Sequence, residues 1–462
     1  MDVKMSGVFE RNSVSASSSF SRFSDDTLVS NNKGGQSRNS SHSANSTSPT
    51  SVLEVAQLQD QRRSCSDLNA ESVLSIASES EANGLVFPPS TSQSCQEFPA
   101  YNIDNRSHKC TASSKGHTGR VCSLAVGGDL LYSGSDASSI RIWRRSDMDA
   151  FSSFRTGDGA VKALLVHGDK VFSAHQDHKI RVWRHSKSRP SDVQAVATLP
   201  TLKNYLTSCL SPKNYVQVRR HHKRLWIEHV DAVSVLAVGN GVLYSGSWDK
   251  TVKVWRLSDY RCLETVEAHD DAVNALIVGS NGRVYTGSAD KKVKSWHKSS
   301  KTHVLLSTME GHKSGVNALA LSMDESLLYS GSSDTSIVVW EKQADEDELK
   351  NVESLRGHRA AVLCLAAIVN GLCSGSADKT IRIWERKGGR VHDCLSVLEG
   401  HVGGVRSLSV GMDLERGGCL SVYSGSMDGC LKLWCIPLKT EASSSDFEDI
   451  PTKLPLPDRT LQ

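Results

Sequence analysis

The sequence of 462 residues lacks the features that mark several common protein classes. No window holds the roughly 18 apolar residues that a membrane-spanning helix needs, and the first residues have no apolar core typical of a secretory signal. No Cys-x-x-Cys pair occurs among the 12 cysteines, and Cys110, Cys262 and Cys394 each lie seven residues before a histidine. This regular placement favours small apolar residues in a reducing compartment over disulfides or a zinc site. We therefore expect a cytoplasmic and nuclear protein without a metal, a cofactor or a membrane segment.

One stretch is repeated along the chain. The copy from Ser245 to Trp255 has a hydroxyl residue, a glycine, an aspartate four residues after the hydroxyl, and an alternating apolar run that ends in tryptophan. Seven related copies end at Trp143, Trp183, Trp255, Trp296, Trp340, Trp384 and Trp434. Self-similarity with a period of about 40 residues indicates a stacked or closed array of units.

Each repeat contains three short apolar runs in a fixed order, such as Val121–Val126, Leu130–Ser133 and Ile140–Trp143 in the first one. They are rich in β-branched residues and are separated by Gly, Asp and Asn, which predicts strands. A looser fourth run precedes most of the repeat histidines. Four antiparallel strands per unit, repeated radially, form the blade of a β-propeller. The sequence thus predicts an all-β, seven-bladed propeller over residues 108–436.

The motif that carries a family resemblance is a Gly-His pair followed, some 20–25 residues later, by Ser-Gly-Ser-x-Asp and a run that ends in Trp. It resembles the WD-repeat family over residues 110–435. One departure is that Arg, His, Glu or Cys follows the tryptophan, never the aspartate that gives the family its name.

Four polar residue types recur at fixed positions in the repeats. Because indole N–H only donates, hydroxyl donates and accepts, imidazole relays and carboxylate accepts, a chain Trp–Ser/Thr–His–Asp would satisfy every buried polar atom. The resemblance implies the same structural tetrad. Complete sets are predicted in repeats three to seven: His229, Ser245, Asp249 and Trp255; His269, Thr286, Asp290 and Trp296; His312, Ser330, Asp334 and Trp340; His358, Ser374, Asp378 and Trp384; His401, Ser424, Asp428 and Trp434. A catalytic triad is disfavoured because five copies of a nucleophile in one fold make no sense, so no catalytic residue is predicted.

Repeats one and two depart from this pattern. Gly157 stands where repeat two should have its histidine. In repeat one, Ala137 takes the place of the aspartate, which is displaced to Asp136. We therefore expect blades one and two to be the loosest part of the ring.

The loops beside the tetrads form one rim of the propeller. The family resemblance implies that certain loop positions face the central opening, and transferring them residue by residue gives partner-binding candidates: Trp248, Arg120, Lys162, Lys313, Arg359, Arg406 and Met427, with Gln176, Asp270, Asn274 and Asn317 at further positions of this kind. Trp248 is the strongest candidate because Ala289, Ser333 and Ala377 fill its turn position elsewhere, so the fold does not require an indole there.

About 30 extra residues separate Trp183 from His229. Residues 184–228 carry nine Lys/Arg against two Asp/Glu, including Arg219, Arg220, Lys223 and Arg224. We expect a short helix over residues 201–206 and an insertion over about 186–221, in the loop between the third and fourth strands and on the rim opposite the tetrad loops. A basic run of this kind is typical of a nuclear-import signal, of a phosphate contact, of a binding site for acidic peptides and of an ordinary solvated edge strand. These four alternatives stay open at this point.

The ends of the chain have a different composition. Residues 1–107 are rich in Ser, Asn and Gln, and residues 437–462 are acidic; both are predicted to be disordered tails because they cannot bury enough apolar surface.

The most consistent function is a non-catalytic protein-interaction scaffold. We expect a monomeric propeller that binds proteins or peptides such as transcription regulators. The amino-acid sequence of the insertion, at residues 197–203 and 214–220, and the Ser-rich tail resemble the plant Jingubang-type subfamily. This resemblance implies a regulator that restrains pollen germination. Two alternatives stay open. One is a nucleic-acid binder that uses the basic insertion, disfavoured by its few aromatics. The other is a ubiquitin-ligase substrate receptor, although no repeat contains the Trp-Asp-x-Arg sequence of such receptors.

Overall fold

The computed structural model describes residues 101–103, 109–186, 191–219, 222–342, 348–387, 391–413 and 419–440. Most of the two predicted tails lies outside these residues. The described strands nevertheless extend past both predicted limits of the propeller, 108 and 436, because Tyr101–Ile103 is a strand and the last strand runs from Cys430 to Thr440. No helix among the described residues is long and apolar enough to cross a membrane.

The described strands form seven antiparallel blades, which confirms the predicted propeller. Blade 1 consists of Val121–Gly127, Leu130–Ser135, Ser139–Arg144 and Ala150–Arg155. Blade 2 consists of Val161–His167, Lys170–His175, Ile180–His185 and Val193–Leu199. Blade 3 consists of Val233–Gly239, Val242–Ser247, Thr251–Arg256 and Cys262–Glu267. Blade 4 consists of Val273–Val278, Val284–Ser288, Lys292–Lys298 and His303–Glu310.

The remaining blades follow the same order. Blade 5 consists of Val316–Leu321, Leu327–Ser332, Ile337–Lys342 and Leu349–Leu355. Blade 6 consists of Val362–Ile368, Gly371–Ser376, Ile381–Lys387 and Val391–Leu398. Blade 7 consists of Val405–Asp413, Cys419–Ser426 and Cys430–Thr440, together with strands from the start of the propeller.

The ring is closed by the two ends of the array. Strand Lys109–Lys115 pairs antiparallel with the third strand of blade 7, from Lys109 opposite Cys435 to Lys115 opposite Cys430. The short strand Tyr101–Ile103 pairs with the end of the same blade 7 strand, opposite Leu438–Thr440. Because an unpaired strand edge is a site for wrong pairing, this closure protects the last blade.

Apolar side chains fill the spaces between neighbouring blades. One cluster combines Ile140, Ile142 and Tyr132 of blade 1 with Val161 and Trp183 of blade 2. The buried cysteines belong to such clusters: Cys364 and Cys373 pack between blades 6 and 7, and burial raises the pKa of both thiols to about 12. These cysteines therefore act as small apolar residues.

A polar contact repeats at two blade boundaries. The Tyr244 hydroxyl of blade 3 lies 3.2 Å from Nε2 of His303 in blade 4, and Nδ1 of His303 lies 2.7 Å from Oε2 of Glu264 in blade 3. Tyr329, His392 and Glu353 form the same arrangement between blades 5 and 6, with distances of 3.0 and 2.7 Å. The tyrosine and the glutamate of one blade thus hold a histidine of the next.

The insertion lies in a different connection from the one predicted. The fourth strand of blade 2, Val193–Leu199, follows the third strand directly and pairs with it from Val193 opposite His185 to Leu199 opposite Ile180. The extra residues therefore come after the fourth strand, in the connection that carries His229. They form a helix, Leu202–Cys209, a 3₁₀ turn, Pro212–Asn214, and a hairpin, Tyr215–Arg219 with His222–Leu225. The predicted short helix is confirmed, although it begins one residue later and ends three residues later than predicted.

The insertion packs along the boundary between blades 2 and 3. Leu225 and Ile227 are buried in one cluster with Phe172 of blade 2 and Trp255 of blade 3. The Asn204 side chain donates to the Tyr260 carbonyl, 2.9 Å away, in the loop between the third and fourth strands of blade 3. The sequence analysis placed the insertion on the rim opposite the tetrad loops. This was wrong for the connection that holds the insertion, since that connection carries His229, but the helix does contact a loop of the opposite rim.

Candidate partner-binding site

The five predicted tetrads are formed in blades 3–7. In each, the Trp Nε1–H donates to the Ser or Thr hydroxyl over 2.7–2.9 Å, and that hydroxyl lies 2.7–2.8 Å from the His Nε2. The His Nδ1 is 2.8–3.3 Å from the Asp Oδ2. The aspartate also accepts the backbone N–H of the residue after the histidine, as with Arg359 and Asp378. Each tetrad therefore pins the loop before the first strand to the turn between the second and third strands.

The electrostatics of the tetrads match a structural role. Burial lowers the pKa of His229, and the hydrogen bond and charge of Asp249 offset this only in part. Burial would raise the pKa of Asp378, yet hydrogen bonds from Thr380, the Arg359 backbone and His358 lower it to about 2. These shifts favour the neutral imidazole of His229 and the ionised carboxylate of Asp378. Because Ser245 and Ser374 are fully buried, their hydroxyls cannot reach a substrate as nucleophiles.

Blade 2 satisfies its hydroxyl with a histidine that the sequence analysis missed. His175 lies on the second strand, is fully buried, and places Nε2 2.7 Å from the Ser173 hydroxyl. Trp183 Nε1–H donates to the same hydroxyl over 2.7 Å. The His175 Nδ1 lies 3.3 Å from the Gly159 carbonyl, which replaces the carboxylate. Residues two apart on a strand share a face, so a histidine two positions after the hydroxyl was the signal that could have revealed it.

The aspartate of blade 2 has a different partner. Asp177 accepts two hydrogen bonds from the Arg181 guanidinium, at 3.2 and 2.5 Å. Arg181 also lowers the pKa of His175, although burial contributes most to the fall to about 4. Blade 2 therefore has a complete but rearranged polar network, and Gly157 does not leave a gap in it.

Blade 1, like blade 2, has no carboxylate on its tetrad histidine in the described structure, and the Nδ1 of His117 lies 3.5 Å from the Ser139 hydroxyl. His117 Nε2 lies 2.7 Å from the Ser133 hydroxyl, which also accepts from Trp143. Asp136 accepts instead from the Arg120 backbone N–H, over 2.7 Å. Burial, aided by the nearby Arg141, lowers the pKa of His117 to about 4. The displaced aspartate thus moves a negative charge from the tetrad to the rim.

Trp248 lies on the rim beside a lysine of the neighbouring blade. Its side chain is 39% exposed, and Lys162 Nζ of blade 2 lies 5.1 Å from the centroid of its ring. Burial lowers the pKa of Lys162, and the positive charges of Arg406 in blade 7 and Arg120 in blade 1 act in the same direction. The first strands of blades 7, 1, 2 and 3 contact one another in that order, so these residues occupy one sector of the rim. We call Arg406, Arg120, Lys162 and Trp248 the basic sector.

The equivalent positions of blades 4 and 5 are used to hold the ring together. Asn274 Nδ2 donates to the Val316 carbonyl over 3.0 Å, and Asn317 Nδ2 donates to the Val362 carbonyl over 2.8 Å. Both asparagines are the second residue of a first strand, the position that Lys162 and Arg406 occupy in blades 2 and 7. The structure thus separates the predicted rim residues into asparagines that join blades and cations, of which Arg120 pairs with Asp136 at 3.7 Å.

The other predicted candidates are exposed. Lys313 and Arg359 precede blades 5 and 6, Asp270 precedes blade 4, and Gln176 and Met427 lie in turns of blades 2 and 7. Lys313, Arg359, Met427, Gln176 and Asp270 all have exposed side chains. Lys313 and Arg359 use their backbone N–H groups to bind tetrad aspartates, so their side chains are carried on well-fixed loops.

The basic insertion residues are only partly described. Lys223 and Arg224 are exposed on the second strand of the insertion hairpin. Arg219 closes the first strand, but its side chain lies outside the described residues, as does Arg220 altogether. No group of three or more His, Cys, Asp or Glu residues in the described part of the chain could hold a metal ion.

The repeats match a known family model. The family described as "WD domain, G-beta repeat" matches residues 108–144, 220–256, 260–297, 303–341, 349–385 and 392–435, together half of the chain. The chain therefore belongs to the WD-repeat family. Among the seven blades, blade 2 has no match to the family model, and it is the blade in which His175 takes the place of a histidine at the Gly157 position.

One solved structure with the same fold is the crystal structure of the WD40 β-propeller domain of Doa1. The two chains are 23% identical with a TM-score of 0.54, and the match covers 73% of this chain and 97% of the Doa1 chain. This likeness supports the fold alone. No curated protein matches the chain.

Proposed function

We propose that this protein is a non-catalytic interaction scaffold whose partner binds the basic sector of the tetrad rim. The membership of the WD-repeat family supports the scaffold role in general terms. The observation that carries the location is the exposed Trp248 with Lys162 against its ring, next to Arg120 and Arg406. Exposed tryptophan beside arginine is typical of binding hot spots. The partner is a protein segment that presents an apolar side chain to Trp248 and a carboxylate to the cations.

Trp248→Ala tests this site. Loss of a hot-spot tryptophan costs about 2 kcal/mol, or roughly thirtyfold in Kd. The fold should be unaffected, because Ala289 and Ala377 occupy the equivalent turns. Met323→Ala is the matched control, since Met323 is 70% exposed in a loop between first and second strands, away from the tetrad turns. Partners captured by the wild-type protein are identified, and the Kd of the most abundant one is measured with both variants.

The result is decisive in either direction when circular dichroism shows that both variants are folded. A partner that binds Trp248→Ala as tightly as the wild-type protein excludes the basic sector as its site. Reversal of Arg120 and Arg406 to Glu should in addition slow association and weaken its dependence on salt.

We further propose a cytoplasmic and nuclear location and, from the resemblance of the insertion to Jingubang-type proteins, a role in restraining pollen germination. The basic run of residues 218–224 supports nuclear entry, since clustered Lys and Arg are typical of import signals. A fluorescent fusion with Lys223→Glu and Arg224→Glu should stay in the cytoplasm, and loss of the gene should raise the germination rate of pollen. Unchanged nuclear fluorescence or unchanged germination would contradict the respective proposal.

A further inference from the structure

The insertion helix Leu202–Cys209 exposes its apolar face to solvent instead of burying it against the propeller. A surface helix normally buries its apolar stripe against the core. Here Leu202 is 74% exposed, Leu206 is 55% exposed, and Leu210, directly after the helix, is 82% exposed. These residues are spaced four apart and therefore share one face of the helix. The face toward the propeller carries Asn204, whose side chain donates to the Tyr260 carbonyl, and Cys209, which packs against the apolar cluster between blades 2 and 3.

The exposure does not come from loose attachment. The Thr201 hydroxyl caps the helix by accepting from the Asn204 N–H over 3.3 Å. The end of the helix is bound by Asn214, whose side chain donates to the Ser208 carbonyl over 2.8 Å. Asn214 in turn accepts from the Trp226 N–H over 2.9 Å, and the Trp226 carbonyl accepts from Thr265 of blade 3 over 3.1 Å. The helix is thus fixed to blade 3 with its leucines facing solvent.

The same segment carries charge of one sign. Residues 200–227 contain six Lys/Arg and no Asp or Glu. Lys203, Lys213, Lys223 and Arg224 are exposed. Among the described residues, none of these four forms an ion pair. A cationic border around an apolar stripe is complementary to a segment that is acidic and apolar.

We propose that the insertion is a second docking surface, which binds an acidic amphipathic helix of a partner protein. The leucines of the insertion helix pack against the apolar face of that helix, and its carboxylates meet the surrounding lysines and Arg224. This is helix recognition through apolar positions one turn apart. A second copy of this chain is a poor occupant, because a symmetric contact would bring two cationic surfaces together. The surface is separate from the basic sector, so both can be occupied on one molecule.

The test uses the full-length protein and a fluorescein-labelled peptide of about 20 residues, with Leu on one helical face and Glu on the others. Binding is followed by fluorescence anisotropy. The comparison ligands are a scrambled peptide of the same composition, polyglutamate and a single-stranded RNA of similar length. The variants are Leu206→Ser with Leu210→Ser, and Lys203→Glu with Lys213→Glu. The matched control is Val402→Ser with Met323→Ser, since these residues are 77% and 70% exposed elsewhere on the propeller.

We expect the amphipathic peptide to bind the wild-type and control proteins alike and each insertion variant at least tenfold more weakly, with Trp248→Ala unchanged. The altered side chains are exposed, so the fold is kept, as circular dichroism would show. Equal binding of the scrambled peptide or polyglutamate would overturn the proposal by showing that charge alone attracts the ligand. Tighter binding of the RNA, or no peptide binding at millimolar concentration, would overturn it as well. Light scattering that reveals a dimer abolished by Leu206→Ser with Leu210→Ser would assign the face to a second copy instead.

Discussion

His175 should be as important for stability as a conventional tetrad histidine, although no repeat pattern marks it. His175→Ala removes the acceptor of the buried Ser173 hydroxyl and leaves the space of an imidazole empty. A buried polar group without a partner costs about 1–3 kcal/mol, and a cavity adds to that. We therefore expect a loss of about 2–4 kcal/mol in the free energy of unfolding. His167→Ala is the control, because His167 is an exposed histidine on the first strand of the same blade.

The measurement combines urea denaturation with hydrogen exchange. Exchange should accelerate most in blade 2, because His175 links the second strand to Gly159 before the first strand and, through Ser173, to Trp183 on the third strand. A double-mutant cycle with Ser173→Ala separates the hydrogen bond from the cavity, and we expect a coupling energy of about 1 kcal/mol or more. The reasoning is refuted if His175→Ala and His167→Ala unfold within about 0.5 kcal/mol of each other, the range of ordinary surface substitutions.

Three further outcomes follow from the same structure. Gly157→His, which restores the family pattern in blade 2, should not stabilise the protein in thermal melts, because Ser173 already has its acceptor and Gly157 has φ +89°; a rise in Tm would contradict this. The free energy of unfolding should decrease as the pH is lowered from about 6.5 to 4, because the unfolded chain binds protons there that His117 and His175, with folded pKa values of about 4, do not. In urea titrations at several pH values, this free energy should depend less steeply on pH for His175→Ala. Deletion of residues 1–116 should lower Tm far more than deletion of 1–108, since only the former removes the closing strand Lys109–Lys115; equal melting temperatures would show that closure adds nothing.

The expected ranking of the blades changes with these contacts. Blades 1 and 2 were expected to be the loosest because each departs from the pattern at one position. In the described structure neither of these blades has a carboxylate on its histidine. The Nδ1 of His175 in blade 2 lies 3.3 Å from the Gly159 carbonyl, and the Nδ1 of His117 in blade 1 lies 3.5 Å from the Ser139 hydroxyl, the longer of the two contacts. Hydrogen exchange across the seven blades is the measurement that ranks them, and we now expect blade 1 to exchange fastest.

The sequence by itself determined the propeller, the five full tetrads and the strand that closes the ring. The reason is that each repeat contains its own turn residues, strand alternation and polar set, so local patterns indicate the same blade seven times. Even the closing strand was predictable, because Cys110–Lys115 matches the fourth strands of other repeats although no blade precedes it. In the structure Cys110–Lys115 pairs with Cys430–Trp434, at the place of a fourth strand in blade 7.

Only the tertiary structure decided which polar atoms meet when the pattern fails and which segment becomes a strand. His175 replaces a missing histidine because strand alternation aims it at Ser173, and Asp136 binds Arg120 because the turn moves its carboxylate away from His117. The pairing of Val193–Leu199 with Ile180–His185 made the fourth strand of blade 2 from a segment that the sequence analysis had assigned to the insertion. That pairing placed the helix on the boundary of blades 2 and 3 with its leucines in solvent. Such outcomes depend on contacts between distant residues, which a repeat pattern does not record.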